Sequence, residues 1–265
     1  MITPALAALY AWRIEPVWEE YVRRKLPIRG LPRKWAGKTL VQLSDLHVGD
    51  RVDPDYLRRV FAEVARLQPD LVAYTGDFVS YAGPGTLAQL AQLAPRLPRG
   101  KLGTVAVLGN HDYGRNWRNF GVADAVARTL AANGCMVLRN AVTDVAGLRI
   151  GGVDDLWAGR TRVEAVVAEM KDGPGLALCH NPDACDLPGW GGYEGWILAG
   201  HTHGGQCRPP FLPPPLLPVN NRRYTAGEID LGGERSLYIN RGLGHLTRVR
   251  FNVRPEVTIF ELIRA

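Results

Sequence analysis

Five short polar stretches hold the side chains that could do metal chemistry: Ser44-Asp45-Leu46-His47, Thr75-Gly76-Asp77, Gly109-Asn110-His111-Asp112, Cys179-His180-Asn181-Pro182 and Gly200-His201-Thr202-His203-Gly204. Five of the six histidines fall inside them, which histidines dispersed over a surface would not do. Asp45 and His47 stand two residues apart, and in extended chain a period of two turns both side chains to one side, so one strand end would give one ion two ligands. His201 and His203 repeat the spacing. Carboxylate and imidazole ligands without thiolate suit Mn²⁺, Fe or Zn²⁺. A carboxylate shared by two ions lets them sit ~3.5–4 Å apart, the layout of a two-metal hydrolase. One ion would make hydroxide from a bridging water and both would clamp the oxygens on phosphorus, so no Ser or Cys nucleophile is required.

Each stretch follows an apolar run that must position it. Strands are expected at Thr39 to Leu43, Leu71 to Tyr74, Thr104 to Leu108, Leu176 to Leu178 and Gly195 to Leu198. Helices are expected between the early ones, at Pro54 to Leu67, Thr86 to Leu93 and Val122 to Asn133. Further strands are read near Met136 to Leu138, Leu148 to Val153, Ser236 to Ile239 and Val257 to Ile263, with a helix at Val163 to Met170. This βαβα rhythm implies a sheet with helices on its faces and right-handed crossovers. In such α/β sheets ligands bind outside the carboxyl ends of strands, so the polar tips would converge. Ile14, Val17, Trp18, Tyr21, Val22 and Leu26 fall at helical spacing and end among Arg23, Arg24 and Lys25, which predicts an amphipathic basic first helix and lead-in over residues 1–37. Pro209 to Pro218 holds six prolines among Phe and Leu and excludes regular structure, either a stiff surface loop or an apolar lip over a binding site.

At 265 residues and 46% hydrophobic content the chain can bury a core as a single domain spanning 1–265, and disorder is excluded. No internal repeat or long linker marks a second domain. Lys and Arg number 32 against 26 Asp and Glu, a net charge of +6 that biases toward anionic partners. The excess is spread out, and without a basic stripe interleaved with aromatics no nucleic-acid partner is expected; no protein partner is indicated either. Cys135, Cys179, Cys185 and Cys207 form no Cys-x-x-Cys pair and are read as buried thiols. The early apolar run from Met1 to Trp12 is broken by Arg13, far short of the ~20 residues needed to cross a bilayer, so no transmembrane helix is expected. A cytoplasmic location, or a peripheral one on a membrane face, is the expectation.

The five stretches, in this order, resemble the calcineurin-like metallophosphoesterase superfamily, whose pattern is Asp-x-His, Gly-Asp, Gly-Asn-His-Asp/Glu, a lone His, then Gly-His-x-His. The resemblance covers roughly Thr39 to Gly204. It implies an α/β fold, a four-layer α/β/β/α sandwich of two mixed β-sheets flanked by helices. It also implies two divalent metal ions, Mn foremost with Fe or Zn as alternatives. Asp45, His47, Asp77 and His203 would hold the first ion, and Asp77, Asn110, His180 and His201 the second, with Asp77 bridging. His111 would stay free of metal as a general acid or charge stabiliser, with Asp112 orienting its ring.

The flanks are similar to one bacterial branch of that superfamily, through Ile14-Glu15-Pro16, Gly204-Gly205-Gln206, Asn240-Arg241-Gly242-Leu243-Gly244, Arg250-Phe251 and Arg254-Pro255-Glu256-Val257. That branch contains membrane-associated phosphodiesterases and enzymes similar to UDP-2,3-diacylglucosamine hydrolases, and its members often begin with a hydrophobic anchor, of which this chain has at most a remnant. The implied substrate is a phosphodiester or pyrophosphate, with a lipid-linked nucleotide sugar and a soluble nucleotide or small phosphoester both open. A non-catalytic scaffold is disfavoured because no ligand is missing. Asn221, Arg222 and Arg223 could pair with a pyrophosphate, and Arg115, Arg118 and His245 are further candidates for substrate contact.

Overall fold

A computed structural model describes residues 3–81, 83–170 and 173–265; Met1 and Ile2, which open the early apolar run, lie outside the described residues. The strands are β1 (Glu20–Ile28), β2 (Thr39–Leu43), β3 (Leu71–Thr75), β4 (Gly103–Val107), β5 (Met136–Val137), β6 (Ala141–Val145), β7 (Leu148–Gly152), β8 (Gly175–Leu178), β9 (Gly195–Ala199), β10 (Gly227–Gly232), β11 (Arg235–Ile239) and β12 (Glu256–Arg264). The helices are α1 (Pro4–Leu9), α2 (Pro54–Arg66), α3 (Pro84–Leu93), α4 (Phe120–Ala132) and α5 (Val163–Met170). One mixed sheet runs β1-β12-β2-β3-β4-β5 and the other β10-β11-β9-β8-β7-β6. β2 through β5 pair in parallel, as do β7, β8, β9 and β11, while β12 against β2, β6 against β7 and β10 against β11 are antiparallel.

The alternation of each strand sorts its side chains between two apolar layers. In β3, Leu71 and Ala73 face the core between the sheets, with Val105 and Val107 of β4 beside them and Leu176, Leu178 and Leu198 of the second sheet across it. Val72 and Tyr74 point the other way, into the layer filled by Val60, Phe61 and Val64 of α2 and Val126 and Leu130 of α4. On the far side, Ala177, Ile197 and Ile239 pack with Val163, Val166 and Met170 of α5. The order is therefore α/β/β/α. Asp53 caps α2 by accepting from the Asp55 amide at 2.8 Å, and Asn119 caps α4 by accepting from Val122 at 3.2 Å.

The amphipathic first helix is not there. α1 ends at Leu9 and passes through a π-helical turn (Tyr10–Ile14) and a 3₁₀ turn (Glu15–Val17) into β1. Tyr21 and Val22 favour the pleat, and pairing with β12, Leu26 opposite Leu262, decides the matter by placing Leu26 and Ile28 in the core between the sheets. Pro27, which has no N–H to give, is tolerated because β1 is an edge strand, and Arg23, Arg24 and Lys25 are the charges that keep such an edge from pairing with another chain. β6 and β10 are strands that periodicity did not single out. Cys135, Cys179 and Cys185 are buried, whereas Cys207 is half-buried. Among the described residues no helix is long and apolar enough to cross a membrane.

Candidate metal centre

The polar stretches at the tips of β2, β3, β4, β8 and β9 meet in one buried place. Asp45, His47 and His203 bring one ligand atom each to within 4.8 Å of one another, and Asp77, His180 and His201 do the same. His203 Nε2 lies 3.0 Å from His47 Nε2 and 3.3 Å from Asp45 Oδ1. In the other group, His180 Nε2 stands 3.2 Å from Asp77 Oδ2 and 3.1 Å from His201 Nδ1. Asp77 Oδ2 is also 3.7 Å from His47 Nε2, so this carboxylate lies where the groups adjoin.

The tips converge by a route other than an extended pleat. Asp45, His47, Asp77, His201 and His203 all have left-handed backbone, with φ of 51°, 48°, 54°, 72° and 50°. Such conformations cost on the order of 1–3 kcal/mol each for residues other than glycine and persist only where the surroundings enforce them. Spacing of two therefore has two outcomes: Asp45 and His47 join one group, while His201 and His203 divide between both. Gly109 and Gly200 are required by close approach, since a Cβ at Gly109 would lie 2.3 Å from Asp77 Oδ1 and one at Gly200 only 1.9 Å from Ser44 Oγ.

The hydrogen bonds leave the ligand atoms free for cations. His180 Nδ1 donates to the Thr75 carbonyl at 2.7 Å and His201 Nε2 to the Pro218 carbonyl at 2.8 Å, which turns the other ring nitrogens, His180 Nε2 and His201 Nδ1, toward Asp77. Asp45 Oδ2 accepts from the His201 amide at 3.0 Å and Asp77 Oδ1 from the His111 amide at 2.9 Å. Asp45 Oδ1 and both side-chain atoms of Asn110 are buried without a partner, an arrangement that costs free energy unless a cation takes the oxygens. Burial holds His47 and His203 well below the ordinary imidazole range and His201 down to about 3, so these three rings are neutral, the form that ligates. Burial opposes charge on Asp77, but the facing His180 and His111 outweigh it and keep this carboxyl well below its usual range. The donor set and these free atoms fit two divalent cations.

His111 lines the mouth of the centre, its ring edge-on to His47 at 5.1 Å and to Tyr81 at 5.2 Å, with Nδ1 unpaired. Asp112 does not orient that ring. Its Oδ1 accepts from the amides of Phe78 and Val79 at 2.9 and 3.1 Å and its Oδ2 from Gly109 at 2.9 Å, so it ties the Gly109 turn to the segment after Asp77. Arg115 shares a cavity with His111, and Arg118 lines the one beside it. Asn221, Arg222 and Arg223 are occupied elsewhere: Asn221 bonds Asp183 and Asp186, Arg222 the Pro214 carbonyl and Arg223 the Asp230 carbonyl, closing the Pro-rich loop on itself and on β10. His245 is buried, its Nε2 3.1 Å from the Arg51 carbonyl.

Sequence reasoning gave no role to Arg250. This wholly buried guanidinium donates to the carbonyls of Arg241, Gly242, Gly244 and Val253 and reaches His203 Nδ1 at 3.4 Å. The loop it gathers donates back from Leu243 to the Ser44 carbonyl at 3.0 Å and from Gly244 to that of Asp45 at 2.7 Å, directly beneath the first ligand. Burial lowers the Arg250 pKa only to about 10, so it remains a cation.

The model of the calcineurin-like phosphoesterase family matches residues 38–205. Among curated proteins, the chain is 34% identical over 269 residues to the phosphodiesterase YaeI of Escherichia coli (96% of this chain, 92% of that one) and 32% identical over 268 residues to the uncharacterized metallophosphoesterase YkuE of Bacillus subtilis (96% and 88%). It is 27% identical over 321 residues to the UDP-2,3-diacylglucosamine pyrophosphatase LpxG of Chlamydia trachomatis (99% and 95%).

Proposed function

Because the chain belongs to the calcineurin-like phosphoesterase family, we propose that this metal-dependent phosphoesterase is a phosphodiesterase, or pyrophosphatase, in which Asp77 would serve both of two divalent ions. The observation that carries the reading is the pair of ligand groups adjoining at Asp77, each of one carboxylate and two imidazoles. Asp45, His47, Asp77 and His203 would hold one ion, and Asp77, Asn110, His180 and His201 the other, with Mn²⁺ the first choice for an oxygen and nitrogen set. Bound there, two such ions supply a water-derived nucleophile near neutral pH and charge stabilisation at phosphorus. The chain's own part is to fix the rings through Thr75 and Pro218, to keep water from the buried ligands, and to hold His111 at the mouth, where its imidazole can give a proton to the leaving oxygen.

The finer reading is a lipid-linked nucleotide substrate met at a membrane surface. It is supported by the resemblance to LpxG and by the Pro-rich loop, which exposes Phe211, Leu212 and Leu216 yet ends on His201 through Pro218. Leu6, Leu9, Trp12 and Trp18 add apolar surface in the N-terminal segment, whose Ala11 carbonyl accepts from the Arg250 amide at 2.9 Å. The test is release of UMP from UDP-2,3-diacylglucosamine by Mn-loaded protein, beside bis-p-nitrophenyl phosphate, with metal content measured on the same samples. Asp77→Ala is expected to lose both metal and turnover, and His111→Ala to keep its metal but lose roughly 10²–10⁴-fold in rate. A fully loaded, active Asp77→Ala would overturn the shared carboxylate, and diester cleavage without UMP would move the substrate to soluble phosphodiesters.

A further inference from the structure

A cavity of about 570 Å³ opens beside His111, lined by Arg51, Tyr81, Arg115 and Trp117. The motif pattern accounts for His111 alone among these. Arg51 and Arg115 make no ion pair among the described residues; one Arg51 nitrogen donates to the Leu246 carbonyl, so its charge is unneutralised and, with that of Arg115, lines a cavity that begins beside His111. Trp117 forms an aromatic wall. Its backbone is left-handed at φ 57°, a conformation rare for a bulky residue, and its amide donates to the Gly114 carbonyl at 3.0 Å. Behind it stands Trp157, centroids 4.5 Å apart and planes 34° from parallel, and Trp157 in turn meets His201 edge-on at 4.5 Å. The wall is thus braced against a candidate ligand and prepared before any substrate arrives.

We propose that this cavity is the subsite for a nucleoside phosphate portion of the substrate, with the base stacked on Trp117 and Tyr81 and the phosphate charge met by Arg51 and Arg115. This rests on the phosphodiesterase reading and specifies it. An acyl chain would gain nothing from two guanidinium groups, whereas a nucleotide uses both features: flat aromatic faces take any base, and guanidinium matches phosphate oxygens. The position fits too, since a phosphorus at the metals would have His111 and this cavity on the same side. The apolar Pro-rich loop, approaching from Pro218 at His201, is left for the other substituent.

Two measurements test it. The first is binding of UMP and of methyl phosphate by calorimetry to the metal-loaded parent, Trp117→Ala, Trp117→Phe and Arg115→Ala. Loss of the ring is expected to weaken UMP about tenfold, the scale of one stacked base, with methyl phosphate unchanged and Trp117→Phe restoring most of the difference. Arg115→Ala should weaken both ligands. The second is hydrolysis of uridine 5′-(p-nitrophenyl phosphate) and methyl p-nitrophenyl phosphate, which share a leaving group; Trp117→Ala should raise KM for the uridine ester alone and leave kcat in place. UMP that binds no better than methyl phosphate, or equal losses for both esters, overturns the subsite while hydrolysis by the parent keeps the phosphodiesterase reading. UMP binding that depends on Trp117 in a chain that cleaves neither ester supports the subsite and overturns that reading. Should Trp117→Ala fail to fold, Tyr81→Ala carries the same comparison.

Discussion

Replacing Arg250 by Met keeps the length and apolar stem of the side chain and removes its donors. Four carbonyls lose a bond of 2.8–3.2 Å: Arg241, Gly242, Gly244 and Val253. The Gly242 carbonyl also accepts the Glu256 amide at 3.1 Å, so three are left without a partner among the described residues. At about 1–3 kcal/mol for each buried acceptor left unmade, the gross cost is roughly 3–9 kcal/mol. Removing a buried guanidinium returns part of that, because its own desolvation was unfavourable, so a net loss of about 3–5 kcal/mol is expected. For a chain of this size that is a fall in Tm of roughly 6–20 °C, read by differential scanning calorimetry or urea unfolding. The same loop supports Ser44 and Asp45 from beneath, so metal content at a fixed Mn²⁺ concentration should fall in parallel. Arg250→Lys, which keeps a charge but not the planar fork, should lie between parent and Met. A Met variant that melts within 2 °C of the parent and loads its metal in full would refute this account of Arg250.

Gly109→Ala places a methyl 2.3 Å from Asp77 Oδ1 and 2.6 Å from the Asp77 amide nitrogen, and the displaced carboxylate should lower metal occupancy by elemental analysis and turnover by roughly 10²-fold. Burial alone would lower the His180 pKa, but Asp77 outweighs it and holds the ring well above the ordinary range, so binding Mn²⁺ to chelated protein at pH 7 should release about one proton, seen as a buffer-dependent heat in calorimetry. Burial raises Asp45 to about 6, so a second proton should appear, and affinity weaken, as pH falls through that value; a heat independent of buffer would contradict both assignments. Phe211→Glu combined with Leu216→Glu should abolish association with anionic lipid vesicles in a flotation assay while hydrolysis of bis-p-nitrophenyl phosphate continues unchanged. Vesicle binding that survives both charges would remove the Pro-rich loop from any membrane contact.

How much of this was legible in the sequence depended on whether a residue's partners are local. β2, β3, β4, β8 and β9 are buried runs ended by polar residues, and their positions and the convergence of their tips could be read directly. β1 could not, because helical spacing of Ile14 to Leu26 is also compatible with the alternation of Leu26 and Ile28, and only pairing with β12 some 230 residues later decides between them. The ligand set was legible as residue types at strand ends. The backbone that aims it was not, since aspartate and histidine adopt a left-handed φ more readily than most residues but too seldom for their presence to announce it. Trp157 and Arg51 carry no spacing signal, because what each touches comes from a distant segment, and the carbonyls that Arg250 gathers lie close in the chain but on an irregular loop that no periodicity announces. Asn221, Arg222 and Arg223 show the converse: their types suit phosphate, yet Asp183, Asp186 and nearby carbonyls engage them first.

The division of labour between scaffold and site follows from where the unfavourable terms sit. The left-handed ligands, the unpaired Asp45 Oδ1 and Asn110 atoms, and the neutral His47, His201 and His203 lie at the tips, while the layer between the sheets beneath them is held chiefly by apolar packing, Leu40 and Phe260 included. Conformational cost at the tips is carried by backbone bonds that bypass the ligand atoms: the Asp45 amide donates to the Gly76 carbonyl at 2.9 Å and the His47 amide to the Asp77 carbonyl at 3.0 Å, lacing the β2 and β3 tips together. The lacing fixes the ligands' positions without consuming Asp45 Oδ1, Asp77 Oδ2 or the facing imidazole nitrogens, which is what a centre prepared for two cations requires. The tips are therefore where stability and activity trade against each other. Substitutions in the core should unfold the chain as a whole, and substitutions among Gly76, Gly109 and Gly200 should empty the centre before they melt the sheets.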